Sequence, residues 1–252
     1  MKEIVYLSTP EKVSMADSWF QVASPSNFWV KRRFRVFRTL VRPLDVDGMK
    51  VAEIGCGHGL VQHSFRQNFG QSVDGYELNQ LALEQSVCPD EPRFIYNIFD
   101  RNAELKEKYD MIILFDVIEH LEDDRAFLDA VLFHLKFGGY VVINVPALQG
   151  LFSKYDEASG HFRRYEKKDL SKLSTDLGLS LVEVSFWGLP YLPILWLRKR
   201  LLAAKTSEQD IISTGMKPPS SIANTLLAGL GYLELIPNHI IGTSLMCLVQ
   251  KK

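Results

Sequence analysis

The stretch Val51-Ala52-Glu53-Ile54-Gly55-Cys56-Gly57-His58-Gly59 decides how the rest of this sequence is interpreted. Its first four residues are mostly apolar, as in a short buried strand, and its three alternate glycines permit a tight turn. Residues 60–69 then have the apolar spacing of a helix. Strand, glycine turn and helix in this order suit a nucleotide-like ligand, because the backbone can approach it without interference from Cβ atoms.

The spacing of these glycines excludes two familiar classes of site. A dinucleotide fingerprint needs a third glycine where this chain has Leu60, and a P-loop needs a Gly-Lys-Ser/Thr sequence that is missing. Glu53, just before the turn, would repel a pyrophosphate but can pair with an ammonium group. The turn therefore favours a cationic ligand without phosphate, and S-adenosylmethionine (SAM) meets both conditions.

A second acid supports this interpretation. Glu77 ends the next predicted strand, at 72–77. In a parallel sheet its carboxyl end lies at the same edge as the glycine turn. A carboxylate there can accept hydrogen bonds from both ribose hydroxyls. We therefore expect Glu77 and the turn to form one site.

Strand-like and helix-like segments alternate through this part of the chain. Their order predicts an α/β fold, a doubly wound, mainly parallel seven-stranded sheet with helices on both faces and helical caps at both termini. The expected domain plan is an N-terminal helical cap (1–48), a SAM-binding core (49–146), and an acceptor lid with helices and the last strands (147–252). The predicted strands are 49–54, 72–77, 93–96, 109–115, 140–145, 179–186 and 244–250, and the core helices are 60–69, 79–86 and 123–135, the last ending at Phe137-Gly138-Gly139.

Composition limits the function further. The chain has 252 residues, of which 46% are hydrophobic, and a net charge of -1 gives no global field that would attract nucleic acid. Cys56, Cys88 and Cys247 have neither disulfide nor metal-ligand spacing, so no metal is predicted. Without a secretory signal, we expect a reduced cytoplasmic protein that is a monomer or homodimer.

Taken in order, these segments resemble the Rossmann-like (class I) SAM-dependent methyltransferases. Residues 51–59 are similar to their first motif, Tyr76-Glu77-Leu78 to their ribose-binding acidic motif, 109–121 to their fourth-strand motif, and 135–140 to the approach to their fifth strand. The resemblance implies a set of cofactor-binding residues: Glu53, Gly55, Cys56, Gly57, Gly59, Glu77, Leu78 and Asp116.

The sequence departs from the family pattern after the third strand. Many relatives have Asp there, whereas this chain has Asn97, with Asp100 three residues later. Either residue can hydrogen-bond the adenine amine, and both stay candidates for binding the cofactor.

Two histidines are candidates for the chemistry at the methyl acceptor. Glu119 and His120 follow Asp116 at the end of the fourth strand, beside the expected position of the sulfonium. The pKa of histidine lies near neutral pH, so His120 suits a general base that removes a proton from an oxygen acceptor. The alternative is that these residues only begin the next helix.

Residues 154–165 form the second group. They resemble the Asp-x-x-x-Gly-His-x-Arg-Arg-Tyr segment of a bacterial methyltransferase subgroup associated with sugar and polysaccharide pathways. His161 is then a second candidate base, and Arg163, Arg164 and Tyr165 are candidates for binding an anionic acceptor. The alternative is an ion-paired lid in which the arginines are neutralised by Asp156, Glu157 and Glu166.

Two segments combine aromatic with basic residues. Trp19-Phe20 and 27–38 are interpreted as a cap helix with a solvated basic face, in which Trp29, Val30, Phe34 and Phe37 point to one side. Residues 189–202 suit an apolar substrate tunnel, a dimer contact or an interfacial anchor. Together the segments suggest a hydrophobic acceptor or peripheral contact with a membrane.

The sequence therefore predicts methyl transfer from SAM to a small molecule, at an oxygen of a sugar-, lipid- or secondary-metabolite-type acceptor. One alternative is a SAM-fold binding or regulatory protein without turnover, against which the two acids Glu53 and Glu77 argue. The other is a nucleic-acid methyltransferase. Amino-methylating DNA enzymes carry a polar-Pro-Pro-aromatic motif where this chain has Phe115-Asp116-Val117-Ile118.

Overall fold

The computed structural model describes residues 2–11, 24–203, 211 and 220–252, so the interpretation of Trp19-Phe20 lies outside the described residues. The strands in these ranges are β1 (Ile4–Tyr6), β2 (Val51–Ile54), β3 (Val73–Glu77), β4 (Arg93–Ile95), β5 (Tyr109–Phe115), β6 (Leu135–Pro146), β7 (Leu179–Trp187) and β8 (Ser244–Lys251). The helices are α1 (Phe28–Leu40), α2 (Leu60–Phe69), α3 (Gln80–Glu84), α4 (Asp124–His134), α5 (Lys154–Ala158), α6 (Lys167–Asp176), α7 (Leu192–Leu202) and α8 (Ser221–Leu230).

All of these strands join one sheet in the order β1-β4-β3-β2-β5-β6-β8-β7. The pairs are parallel except at β8, which runs antiparallel to both β6 and β7. From β2 the chain first builds outward through β3 and β4 and then returns to β5 on the other side. This reversal makes a crevice at the carboxyl ends of β2 and β5, where ligands bind in such sheets. The prediction of a doubly wound, mainly parallel sheet is confirmed.

The predicted number of seven strands is too low by one. The additional strand, β1, pairs in parallel with β4 through Ile4↔Arg93, Val5↔Phe94 and Tyr6↔Ile95. It lies at the sheet edge, and Val5 and Tyr6 are about half exposed. Three residues with so little burial leave no periodic signal, so the N-terminal segment was interpreted only as a helical cap. The domain boundaries at 48 and 146 stay predictions.

The junction between α4 and β6 also differs from the prediction. The helix ends at His134, one residue before the predicted end, but β6 begins at once at Leu135, which pairs with Tyr109, rather than at the predicted Tyr140. The glycines instead form a bulge where the register with β5 shifts. Gly138 has a φ of 76°, and a Cβ on Gly139 would lie 2.9 Å from the Lys136 carbonyl oxygen, so both positions favour glycine.

The core fills both faces of the sheet. In β5, Ile112 and Leu114 join one apolar cluster, while Met111, Ile113 and Phe115 join the other. Successive side chains of a strand point to opposite faces, so a strand covered on both sides is apolar throughout. Among the described residues, none of the helices combines the length and apolarity needed to cross a membrane.

Helix α1 packs against the second cluster. Val30, Phe34 and Phe37 are buried, as the helical spacing predicts. The basic face is only partly solvated, however, because Arg32 and Arg33 are buried as well. Arg32 pairs with Glu234 at 2.8 Å. The interpretation of a solvated basic face is therefore corrected. Both arginines are buried because each pairs with a carboxylate from a distant part of the sequence, Arg32 with Glu234 and Arg33 with Asp116.

Candidate active site

The glycine turn lies between the end of β2 and the start of α2, at the crevice. Gly55, Gly57 and Gly59 all have positive φ, at 73°, 54° and 86°. A Cβ on Gly55 would lie 2.7 Å from a methyl group of Val117, and one on Gly59 would lie 2.7 Å from the sulfur of Cys88. Both backbone conformation and crowding therefore require glycine at these two positions.

Glu77, at the end of β3, lies directly beside this turn. Its Oε2 accepts a hydrogen bond from the Gly57 amide at 2.9 Å, and its Oε1 accepts one from the Leu78 amide at 2.8 Å. Burial raises the pKa of Glu77, and these backbone amides oppose that shift. The predicted cofactor residues Gly57, Glu77 and Leu78 are thus in mutual contact.

Glu53 is 3% exposed, and its Oε2 has no hydrogen-bond partner among the described residues. Burial raises its pKa, Arg33 lowers it, and the charge on Glu77 raises it further. An unpaired buried carboxylate is costly, and a cationic ligand would supply the missing partner. The residues therefore fit SAM, whose methionine part carries an ammonium group.

Asn97 and Asp100 follow β4 and lie against the N-terminal segment. The Ser8 hydroxyl donates to Asp100 at 2.6 Å and accepts from the Asn97 amide at 2.8 Å. The Asn97 side chain also donates to Glu11 at 3.3 Å. Both candidates are thus at the expected edge of the sheet, and the choice between them for the adenine amine stays a prediction.

Asp116 follows β5 and has a positive φ of 57°. Its carboxylate accepts from Asn144 Nδ2 at 2.6 Å and from a buried guanidinium, that of Arg33. Trp187 Nε1 in turn donates to Asn144 Oδ1 at 2.8 Å. Sequence reasoning missed Arg33, Asn144 and Trp187. The one available signal was Asn144, a polar residue in an otherwise apolar strand.

The two candidate bases meet in space. The rings of His120 and His161 have centroids 4.7 Å apart and are nearly perpendicular. Burial, reinforced by the charge of His161, lowers the pKa of His120 to about 4. Imidazole nitrogens of both residues and a carboxylate oxygen of Glu119 lie within 4.8 Å of one another. These three residues are a group in the described chain whose geometry suits a metal ion.

Asp156 organises the lid that carries His161. Fully buried, it contacts His161 Nδ1 at 3.1 Å and accepts from Arg164 Nε at 2.8 Å. The Ser153 amide and hydroxyl both donate to its other oxygen at 2.9 Å. Burial alone would raise the pKa of Asp156, but the His161 hydrogen bond and the Arg164 charge outweigh it and lower the pKa to about 2.

The candidate acceptor-binding residues make contacts within the chain. Arg163 pairs with Asp124 at 3.1 Å, and the Tyr165 hydroxyl donates to the same carboxylate at 2.7 Å. With Arg164 on Asp156, this is the arrangement of the ion-paired lid. The acids are Asp124 and Asp156, however, whereas the exposed Glu157 takes no part in these pairs. Anion binding by Arg163, Arg164 and Tyr165 stays a prediction.

Fold and site together are those of a SAM-dependent methyltransferase of the Rossmann-like type. Residues 28–184, more than half of the chain, match the model of a methyltransferase domain, and the chain belongs to that family. The association with a sugar or polysaccharide subgroup is not part of this match.

Individual relatives are more distant. An enzyme named ubiquinone biosynthesis O-methyltransferase from Xanthomonas euvesicatoria is 26% identical over 69% of this chain and 79% of its own length. One of the same name from Leptothrix cholodnii is 26% identical over 39% of this chain, and the match spans only 45% of that relative. A SAM-dependent methyltransferase from Archaeoglobus fulgidus has a TM-score of 0.54 at 17% identity, covering 87% of this chain and 94% of its own. The solved structure supports the fold alone.

Proposed function

We propose that this chain transfers the methyl group of SAM to an oxygen atom of a small molecule. The observation that carries the proposal is that His120, four residues after Asp116 at the carboxyl end of β5, lies against His161 and beside Glu119. Oxygen acceptors need help in losing a proton as they attack, and an imidazole next to the cofactor crevice suits that requirement; His161 is the better candidate, because burial lowers the pKa of His120 to about 4. Relatives named O-methyltransferases support the same choice of acceptor atom.

When bound, SAM would supply an electrophilic methyl group to the acceptor oxygen and be left as the thioether S-adenosylhomocysteine, while the acceptor proton would pass to His161 Nε2. The chain's own residues bind the cofactor and orient the candidate base. Glu53 and Glu77 hold the cofactor at its ammonium and ribose ends. Asp156 fixes the orientation of the His161 ring through Nδ1, which leaves Nε2 to act at the acceptor.

The class of acceptor is also part of the proposal. Sugar-, lipid- and secondary-metabolite-type acceptors all carry hydroxyl groups, and the relatives' printed names point to a precursor in ubiquinone synthesis. A precursor of that kind joins a polar hydroxyl-bearing head to an apolar body, which suits a chain with the exposed apolar residues Trp196, Leu197 and Leu201 on α7.

Peripheral membrane contact is proposed for the same helix. Trp196 is 53% exposed, and the Arg200 guanidinium lies 4.7 Å from its ring centroid. Aromatic and basic side chains side by side suit the boundary between headgroups and acyl chains. A hydrophobic acceptor dissolved in a membrane would reach the site from this side.

The decisive experiment compares matched oxygen and nitrogen acceptors. Formation of S-adenosylhomocysteine is measured with SAM and a panel that includes catechol, o-phenylenediamine, a hexose and a short oligonucleotide. We expect turnover with hydroxyl-bearing small molecules and none with the amine. Turnover restricted to the amine or the oligonucleotide, in a protein that binds SAM, would refute the proposal.

A further inference from the structure

The carboxylate of Glu119 has no visible partner. The residue is completely buried, and neither Oε1 nor Oε2 has a hydrogen-bond partner in the part of the chain that the structure describes. Burial of a carboxylate without a hydrogen bond or counter-ion is strongly unfavourable. The charge of Asp116 makes the position less favourable still for a second anion, and the charges of Arg164 and Arg33 do not outweigh burial and Asp116. A cation bound to Glu119 would compensate for its missing hydrogen bonds and for the nearby charge of Asp116.

The side chains grouped with Glu119 are those of His120 and His161, and both can bind a metal ion. One ligand atom each from Glu119, His120 and His161 lies within 4.8 Å of the others. Ligand atoms around one divalent ion are roughly 3–4 Å apart when each bond is about 2.1 Å. Small side-chain rotations would therefore bring the three atoms onto one ion.

The His161 imidazole is oriented by a carboxylate on its far side, as metal-binding histidines usually are. His161 Nδ1 contacts Asp156, which is itself held by Arg164 and Ser153. The rings of His120 and His161 are nearly perpendicular, with centroids 4.7 Å apart. The Phe162 amide donates to the Glu119 carbonyl at 2.8 Å and ties the two loops together. One nitrogen of the His161 ring is thus engaged by Asp156, while a ring nitrogen of each histidine lies within 4.8 Å of the Glu119 carboxylate.

We propose that Glu119, His120 and His161 bind a divalent first-row transition-metal ion, and that the acceptor oxygen occupies an open coordination position. Two imidazoles and one carboxylate select ions such as Mn²⁺, Co²⁺ or Zn²⁺ over Mg²⁺, which prefers oxygen ligands. With the ion bound, the imidazoles are ligands rather than bases: the ion lowers the pKa of the acceptor hydroxyl, and the released proton goes to solvent water. This second part rests on the proposed oxygen methylation; binding of the ion does not.

Metal binding is tested on the full chain after treatment with a chelator and dialysis. Titration with Mn²⁺ is followed by electron paramagnetic resonance, and titration with Zn²⁺ by calorimetry. We expect one ion per chain, with at least tenfold weaker binding in Glu119→Gln and in His161→Ala. His63→Ala, which alters a partly exposed histidine on α2, is the matched control and should bind as the wild type does.

Three outcomes decide against the proposal. Folded wild-type protein that binds none of Mn²⁺, Co²⁺ and Zn²⁺ overturns it. So does binding that is unchanged in both Glu119→Gln and His161→Ala, since the ion is then held elsewhere. Binding of Mg²⁺ in preference to all three ions overturns the assignment of the imidazoles as ligands. If His161→Ala does not fold, the conservative Glu119→Gln variant still decides.

The same samples separate this proposal from the proposed function. Calorimetry with SAM on chelated protein tests the cofactor site alone, and SAM should still bind. Loss of oxygen methylation on chelation and its return with Mn²⁺ support coordination of the acceptor. Oxygen methylation that persists in verified metal-free protein leaves the proposed function standing and overturns the metal's part in it.

Discussion

The cofactor edge and the acceptor lid of this protein are built in different ways. At the cofactor edge, Glu53, the glycine turn and Glu77 lie close together in sequence, and backbone amides make many of the contacts. At the acceptor side, Arg33 hydrogen-bonds to Asp116, and Glu119 lies near His161, although the members of each pair are far apart in sequence. One region depends on local turn geometry, and the other depends on charges brought together by packing.

The difference teaches where stability and binding reside. Changes in the acceptor lid should act first on folding, because its charges are buried in pairs. Changes at the cofactor edge should act first on SAM affinity, because Glu53 and Glu77 are the side chains proposed to contact the cofactor. The following predictions test that division, in order of decreasing effect.

Replacement of Asp156 by Ala should have the largest effect. It leaves the Arg164 guanidinium buried without its carboxylate, and breaking a buried ion pair from one side costs about 3–5 kcal/mol. The free energy of unfolding, measured in urea, should fall by that amount. Glu157→Ala, which removes an exposed acid from the same helix, is the control. A cost for Asp156→Ala within about 1 kcal/mol of the control would show that the lid does not depend on this charge.

Replacement of Glu77 by Ala should come next and should act on binding. Loss of charge-assisted hydrogen bonds to ribose, each worth roughly 1.5–3 kcal/mol, should raise the Kd for SAM about 100-fold or more. Calorimetry measures the Kd, and circular dichroism verifies the fold, since Glu77 also holds the turn. Glu84→Ala on α3, an exposed acid, should leave the affinity unchanged. Equal affinities in the two variants would remove Glu77 from the site.

Replacement of Arg33 by Met should lower stability by a smaller amount than Asp156→Ala. Asp116, which loses its ion-pair partner, has a side chain that is 35% exposed, so water can solvate it. We expect a loss of about 1–2 kcal/mol in the free energy of unfolding. Lys31→Met, an exposed change on the same helix, is the control. A loss as large as that of Asp156→Ala would mean that exposure does not set the difference between the two ion pairs.

The pH dependence of SAM binding should report on Glu53. Its pKa is raised, chiefly by burial, so it takes up a proton at a higher pH than an ordinary carboxyl group. Because the ammonium of SAM pairs with the charged form, affinity should fall as pH is lowered through that pKa, by at most about tenfold per pH unit. Glu53→Gln should bind more weakly at pH 8 and show a shallower dependence. Parallel pH profiles for both proteins would contradict the assignment.

Membrane contact should show the smallest effect. Trp196→Ala should reduce binding to anionic liposomes at low salt about threefold, because one interfacial aromatic side chain is lost. The control is Phe137→Ala, which removes a side chain that is 78% exposed at the opposite, amino edge of the sheet. Absence of liposome binding by the wild type would end the membrane hypothesis and leave the enzyme proposal intact.

Much of the fold could be predicted because its signals are local. The apolar run Tyr109–Phe115 and the helix Leu60–Phe69 appear at the predicted residues, since burial on known faces leaves a periodic pattern. Strand β1 could not be predicted, because its three residues are held by their pairing with β4 rather than by burial. The start of β6 was misplaced for a related reason, as the glycines that usually end a helix here form a bulge against β5.

By itself, the sequence determined the type of cofactor site: the glycines with positive φ and the acids Glu53 and Glu77 must stand at fixed positions relative to the turn. Only the tertiary structure decided what surrounds the acceptor. It buried Arg33 against Asp116, placed Asp156 beside His161, and left the Glu119 carboxylate near two imidazoles without a hydrogen-bond partner among the described residues. The physical reason is the range of the interactions. Turn geometry is fixed by residues that are neighbours in sequence. A buried charge pairs with a residue that is close only in the folded chain, and the sequence does not give that spatial distance.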